Sequence, residues 1–287
     1  MKNSIARLLT WYTTRRRPSR QRRTPGSFNL DYHDVAFLSK SAERVLLSGW
    51  LIPASDPIGV VILCHGHGGS RRGMLRKAVM LNRYHFTALL FDFRASGSSG
   101  GRFRTLGLRE TDDILGAVEF LKQEPHTREL SILGVGQSMG GAALIRAAAR
   151  SNDIKAVIAE AVFARLDTVL RRRVKFVVGP FVKPVVNSCY RIGANKLGNE
   201  IYTMDPELDI ASISPRPVML IQDNLDFVCP RSDVNRLFEA AKEPKERWIV
   251  PRARHARAHS SAPREYERRV TNFLIRSLCM KTGNDKP

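Results

Sequence analysis

Short apolar runs recur along the chain, each closed by glycine or polar residues. Gly59-Val60-Val61-Ile62-Leu63-Cys64, Thr87-Ala88-Leu89-Leu90-Phe91 and Pro217-Val218-Met219-Leu220-Ile221 carry no charge, and Ile132-Leu133-Gly134-Val135 is broken only by glycine. A strand buried on both faces of a sheet reads as continuous hydrophobics, whereas a half-exposed strand alternates. Between these runs the period changes. Ile114 to Gln123 places Ile114, Leu115, Val118 and Leu121 at helical spacing, and Ser232 to Lys242 and Glu265 to Leu278 read likewise. Strand and helix in alternation predict an α/β fold, a doubly wound and mostly parallel sheet. Val35-Ala36-Phe37 and the stretch Arg44 to Leu51 predict an antiparallel opening, and Trp248-Ile249-Val250-Pro251 a last short strand. Residues at the carboxyl ends of the parallel strands then gather at one edge, where ligands bind in such sheets.

Chemistry concentrates at those ends. Gly136-Gln137-Ser138-Met139-Gly140 lies between an apolar run and the strong helix former Ala142 to Arg150. A serine with glycine two residues either side, at a strand-to-helix turn, is the nucleophile-elbow pattern. The turn is so tight that side chains on the flanking glycines would collide, and the N–H groups opening the helix surround the place where negative charge develops. Gly134-x-Gly136 with Glu160 farther on suggests a dinucleotide loop instead, but that fingerprint needs glycine where Met139 stands. Upstream, His65-Gly66-His67-Gly68-Gly69-Ser70 follows a buried run, and its backbone N–H groups supply the second half of an oxyanion hole. The candidate donors are Met139 and His67. His65 and His67 also invite a metal, yet no third ligand follows at sensible spacing. In the order serine, acid, histidine, only His255 and His259 lie behind Ser138. His255, in the loop after the last strand, is the better base. Asp223 and Asp226 both qualify by position as the acid.

Together these motifs resemble the alpha/beta-hydrolase superfamily, in its bacterial esterase- and lipase-like branch with a helical cap. The likeness rests on the glycine loop after His65, the segment Asp92 to Gly100, the elbow at Ser138, and Asp226 with His255, and extends from about Val35 to Leu278. That family often has His-Gly, two variable residues, then the catalytic aspartate with Val and Pro shortly behind. Laid on this chain, the aspartate is Asp226, with Gln222-Asp223 in place of His-Gly. The resemblance implies Ser138 as nucleophile, His255 as base and Asp226 as its orienting acid, with no cofactor and no metal. It implies cleavage of a carboxylic ester or related acyl compound through an acyl-enzyme. Acyl transfer, thioester cleavage and peptide cleavage use the same apparatus, and a catalytically silent binding protein on this fold is the contrast. The Asp92 to Gly101 loop reads as a strand–helix turn rather than a phosphate cradle.

Between Phe163 and Ser212 the alternation stops. Leu170 to Val186 is apolar and basic together, too short to span a bilayer and broken by Pro180 and Pro184. This is where such hydrolases insert a cap, expected over about 163–212. A cap that covers the core is favoured over a lid touching membrane, and an apolar lid implies a small-molecule substrate with an apolar acyl or alcohol part.

At 287 residues and 43% hydrophobic, the chain can bury one large core, so 28–287 is expected as a single domain. Four cysteines without paired spacing fit a reduced, cytoplasmic setting. A net charge of +20 raises nucleic acid as a partner, but the basic residues are scattered and no nucleic-acid motif accompanies them. The exception is residues 1–27, where Arg7, Arg15, Arg16 and Arg17 surround Leu8, Leu9, Trp11 and Tyr12. Two readings of this basic front end stand level: a flexible tail, or a segment lying on anionic lipid at the inner membrane surface.

Overall fold

The computed structural model describes residues 2–16, 23–179 and 182–280, and sets eight strands in one sheet. They are β1 (His33–Leu38), β2 (Leu46–Ile52), β3 (Gly59–Cys64), β4 (Phe86–Phe91), β5 (Ile132–Gln137), β6 (Ile154–Glu160), β7 (Val218–Asp223) and β8 (Lys245–Val250). The spatial order is β1-β2-β4-β3-β5-β6-β7-β8. β1 and β2 pair antiparallel, β2 joins β4 antiparallel, and every later pairing is parallel.

The sheet explains why the central runs lack polar residues. In β3, Val60, Ile62 and Cys64 belong to one apolar cluster, and Val61 and Leu63 to another on the opposite face. Both faces are dry because helices cover both. α2 (Leu75–Asn82) and α10 (Pro263–Cys279) supply Leu75, Ala78, Val270 and Phe273 to one side. α3 (Glu110–Gln123), α4 (Met139–Arg150) and α8 (Arg231–Ala240) supply Ile114, Leu144 and Leu237 to the other. Each of the Val, Leu, Ile and Phe side chains taken from water contributes about 1.5–3 kcal/mol.

β6 and α2 are among the elements that escape the apolar pattern. β6 carries Lys155 and Glu160 in its seven residues, and α2 carries Arg76 and Lys77 in its eight. Glu160 and Lys77 are nevertheless both buried, because they form an ion pair with each other. A buried charge is tolerated when a partner and further hydrogen bonds satisfy it, and sequence alone does not reveal that partnership.

Between β6 and β7 the chain leaves the sheet through α5 (Leu166–Val178), α6 (Val182–Leu197) and the short α7 (Pro206–Asp209). α9 (Ala258–Ser261) is a single turn before α10. Within the stretch 1–27, for which a flexible tail and a lipid-lying segment stood level above, Lys2–Thr14 is an α-helix, α1, that packs on α6. Ala6 is buried with Val174, Val185 and Val186, and Ile5 and Leu9 border them. The cap thus supplies the apolar surface that a lone helix of this length lacks. Beyond the helix, the carbonyls of Thr14 and Arg15 accept bonds from the Arg104 backbone N–H (2.8 Å) and Nε (3.0 Å). Residues 17–22 of that stretch, and 180–181 of the cap, lie outside the described residues. No helix among the described residues is long and apolar enough to cross a membrane.

Candidate active site

β5 ends in a forced turn. Ser138 holds φ 50° and ψ −120°, a conformation that costs a non-glycine residue about 1–3 kcal/mol. Its neighbours allow it. A Cβ on Gly136 would lie 2.6 Å from Gly141 Cα, and one on Gly140 would lie 2.5 Å from the carbonyl oxygens of Cys64 and His65. The turn is pinned by the Ser138 N–H, which donates to the Glu160 carbonyl at 2.8 Å.

Three sequence-predicted side chains meet at this edge of the sheet. His255, in the loop after β8, places Nε2 3.0 Å from Ser138 Oγ and Nδ1 2.7 Å from Asp226 Oδ2. The other Asp226 oxygen accepts the N–H groups of Val228 (2.8 Å) and Cys229 (2.9 Å), which fixes the carboxylate. An ionised carboxylate only accepts, so Nδ1 carries the proton and Nε2 is left to accept from the serine hydroxyl. Asp226 and Ser138 are buried, and the His255 side chain between them is 27% exposed. Such a chain of hydroxyl, imidazole and carboxylate can activate an oxygen nucleophile and return its proton.

The alternatives of the sequence reading stand elsewhere. Asp223 faces the Arg257 N–H (3.3 Å) rather than an imidazole. Burial, with the Glu160 charge behind it, pushes its carboxyl up to about 7. His259 packs edge-on against Tyr266, and burial pushes its pKa down.

Met139 and His67 both line the slot around Ser138. The His67 ring has a separate task, since Nε2 donates to the Thr13 carbonyl at 2.8 Å and ties α1 to the loop. His65 uses both ring nitrogens, Nδ1 toward the Gly66 carbonyl (2.8 Å) and Nε2 accepting the Phe93 N–H (3.1 Å). Burial pushes its pKa down, in keeping with a neutral ring. Asp226, Cys229 and His255 bring donor atoms within 4.8 Å of one another, a possible metal trio by distance. Their chemistry does not fit one. Both His255 nitrogens are engaged, and burial raises the Cys229 thiol well above its ordinary value, whereas a metal needs the thiolate.

The Asp92 loop is closed by its own carboxylate, which accepts the N–H groups of Arg71 (2.8 Å) and Ser98 (3.0 Å). At Gly97, φ is +50° and a Cβ would fall 2.1 Å from Asp92 Oδ2, so only glycine fits.

Glu160 is the residue whose part the sequence reading missed. Its carboxylate pairs with Lys77 and accepts from Tyr266 Oη (3.2 Å), Gln137 Nε2 (3.3 Å) and the Ala258 N–H (3.2 Å). It therefore joins the residue before Ser138 to the loop that carries His255. Burial pushes its carboxyl up, but the Lys77 ammonium and these donors outweigh that and hold it below the ordinary range. Only its charge at the end of a strand, after the apolar run Ala156 to Ala159, marked it.

Over residues 55–214 the sequence matches the family described as serine aminopeptidase, S33. The chain belongs to that family of alpha/beta hydrolases. An esterase of Pyrococcus furiosus has the same architecture as this hydrolase, with a TM-score of 0.76 at 26% identity, covering 92% of this chain and 98% of that one. Protein YfhR of Escherichia coli strain K12 is 28% identical over 252 residues, 85% of this hydrolase and 81% of its own length. A polyketide transferase of a Penicillium species, grgF, is 27% identical over 257 residues, 76% of this chain and 87% of its own.

Proposed function

We propose that this hydrolase is a serine esterase for substrates with an apolar acyl group. The observation that carries the reading is the contact of His255 Nε2 with Ser138 Oγ at 3.0 Å, backed by Asp226 on the other ring nitrogen at 2.7 Å. Ser138 Oγ attacks the ester carbonyl as its proton passes to His255. The N–H groups of Met139 and His67 hold the oxyanion, and losing one such donor costs about 3 kcal/mol. The imidazolium, stabilised by Asp226, protonates the departing alcohol and leaves an acyl-enzyme. Water, deprotonated by His255, then releases the acid and restores the serine.

The space around Ser138 supports an apolar acyl half. The slot is walled by Leu166, Val169 and Leu170 of α5, with Phe163 and Leu106. Leu106, Leu170 and Arg173 also border an inner cavity of about 80 Å³ with a wider mouth, which Leu9, Thr13, Cys189 and Leu197 help to line. His255 lines neither space. A leaving group must depart beside the imidazole that protonates it, so these spaces fit the acyl side. Among the described residues no carboxylate lines either, which leaves the ammonium of a peptide N-terminus without a partner and favours an ester over an aminopeptidase substrate. Transfer of the acyl group to an acceptor other than water is the second reading, favoured by the likeness to a polyketide transferase.

The outward side of α1 extends the proposal. Leu8 and Trp11 are 63% and 52% exposed beside Arg7, a surface suited to shallow contact with anionic membrane.

The test is hydrolysis of p-nitrophenyl esters from acetate to laurate. Wild type should cleave them with an optimum above acetate, and Ser138→Ala should retain no more than about a thousandth of the rate, in line with losses seen when triad members are removed. Equal activity in the variant would refute the reading.

A further inference from the structure

Arg173 stands on the wall shared by the Ser138 slot and the inner cavity. Its neighbours on α5 are paired. Arg172 binds Asp233 and Arg171 binds Asp167 at 2.6 Å, and Arg165, at the start of the helix, lies 3.4 Å from Glu207. Among the described residues Arg173 has no ion pair and no hydrogen bond. Among the described residues no carboxylate lines either space it borders, and the Cys229 thiol nearby is kept protonated by burial. Burial also pushes the Arg173 pKa down, the mark of a cation held partly out of water without compensation. An arginine in that state loses part of its hydration and gains no hydrogen bond or ion pair back from the described residues. A planar guanidinium with its fork of donors free is suited to a carboxylate.

We infer that Arg173 is a specificity determinant, the receptor for a carboxylate carried on the acyl half of the substrate. The substrate class becomes an ester of a dicarboxylic acid or similar acid-bearing acyl chain. One end is the carbonyl at Ser138, the middle is hydrocarbon against Leu106 and Leu170, and a negative charge meets Arg173. The acyl side follows from the absence of His255 from both spaces. The inference rests on the serine-esterase reading above.

Three esters separate the outcomes: monomethyl adipate, charged on the acyl side; methyl hexanoate, neutral; and (hexanoyloxy)acetate, charged on the alcohol side. Each is followed by acid release in wild type, Arg173→Met and Arg173→Lys. Wild type should favour monomethyl adipate over methyl hexanoate by about tenfold or more in kcat/KM, a difference near 1.4 kcal/mol. The preference should reside mainly in KM and shrink with added salt. Arg173→Met should bring the ratio to about one or below, and Arg173→Lys should restore part of it. Because each ratio is taken within one preparation, the folded fraction of a variant cancels. A wild type that favours methyl hexanoate, or a ratio unchanged in Arg173→Met, overturns the inference. So does a preference for (hexanoyloxy)acetate that Arg173→Met removes, since the charge would then sit on the wrong side. If no ester is cleaved and Ser138 resists a fluorophosphonate, the esterase reading falls and this inference with it.

Discussion

Asp223 and Asp226 are three residues apart in one turn, yet only Asp226 reaches the imidazole, and the reason is local. Two backbone N–H groups fix one Asp226 oxygen and leave the other aimed at His255, whereas Asp223 Oδ1 is buried without a partner. Asp226→Asn should lower turnover by about four orders of magnitude, as in a serine protease whose orienting acid was so changed, with Asp223→Asn far milder. Comparing the two in ester hydrolysis checks this, and the opposite ranking would move the acid. Asp223 should matter for stability instead. Its carboxyl, pushed up to about 7 by burial and the nearby Glu160 charge, binds a proton in the folded state at pH values where the unfolded chain has lost it. The folded state therefore holds more protons than the unfolded between about pH 4 and 7, and stability from this group falls as pH rises through that window. Asp223→Asn removes the charge, so it should stabilise the protein at pH 8 and much less at pH 5, by up to about 1 kcal/mol per pH unit across the window. Urea midpoints at the two pH values measure it. At this scale the site was legible where chemistry and spacing coincide. Ser138 declared itself through Gly136 and Gly140, while the choice between the two aspartates rested on family likeness. Glu160 stayed hidden because its partners, Lys77 and Tyr266, lie 83 and 106 residues away.

Among the elements, buried strands were the readable ones, since β3, β4 and β7 must be apolar on both faces. β6 was not, because Lys155 and Glu160 break its run. α1 was the larger surprise. Its apolar residues Ile5, Ala6 and Leu9 pack against Val174, Val185 and Val186 of α5 and α6, contacts that no local pattern announces. The helix also reaches the site, through the Thr13 carbonyl on His67 and through Leu9 and Thr13 in the wall of the inner cavity. Removing residues 1–16 should therefore cut hydrolysis of p-nitrophenyl decanoate more than that of the acetate, by about tenfold or more in their ratio, a loss near 1.4 kcal/mol. A ratio that does not move would detach α1 from the acyl site. The same truncation tests the proposed membrane face. Intact protein should sediment with anionic vesicles at low salt and less at high salt, and the truncated protein should not. Equal sedimentation of the two forms would shift attention to the cap.

At the scale of the whole molecule, a scaffold closed on both faces leaves one edge of the sheet for chemistry. The elbow after β5, the Asp226 turn after β7 and the His255 loop after β8 meet there, and α5 walls the slot at Ser138. The alternation of strand and helix made that architecture legible, and the family match over 55–214 agrees with it. The packing of α1 against α6 and the loop at His67 was not legible, because it depends on contacts between segments 54 and 183 residues apart. The central claim is that Ser138 is the nucleophile which this arrangement activates. Incubation with a fluorophosphonate at neutral pH, followed by proteolysis and mass spectrometry, tests it most directly. The account predicts one stoichiometric adduct on the peptide containing Ser138, absent from Ser138→Ala and strongly slowed in His255→Ala. No adduct, or an equal adduct in Ser138→Ala, would contradict it.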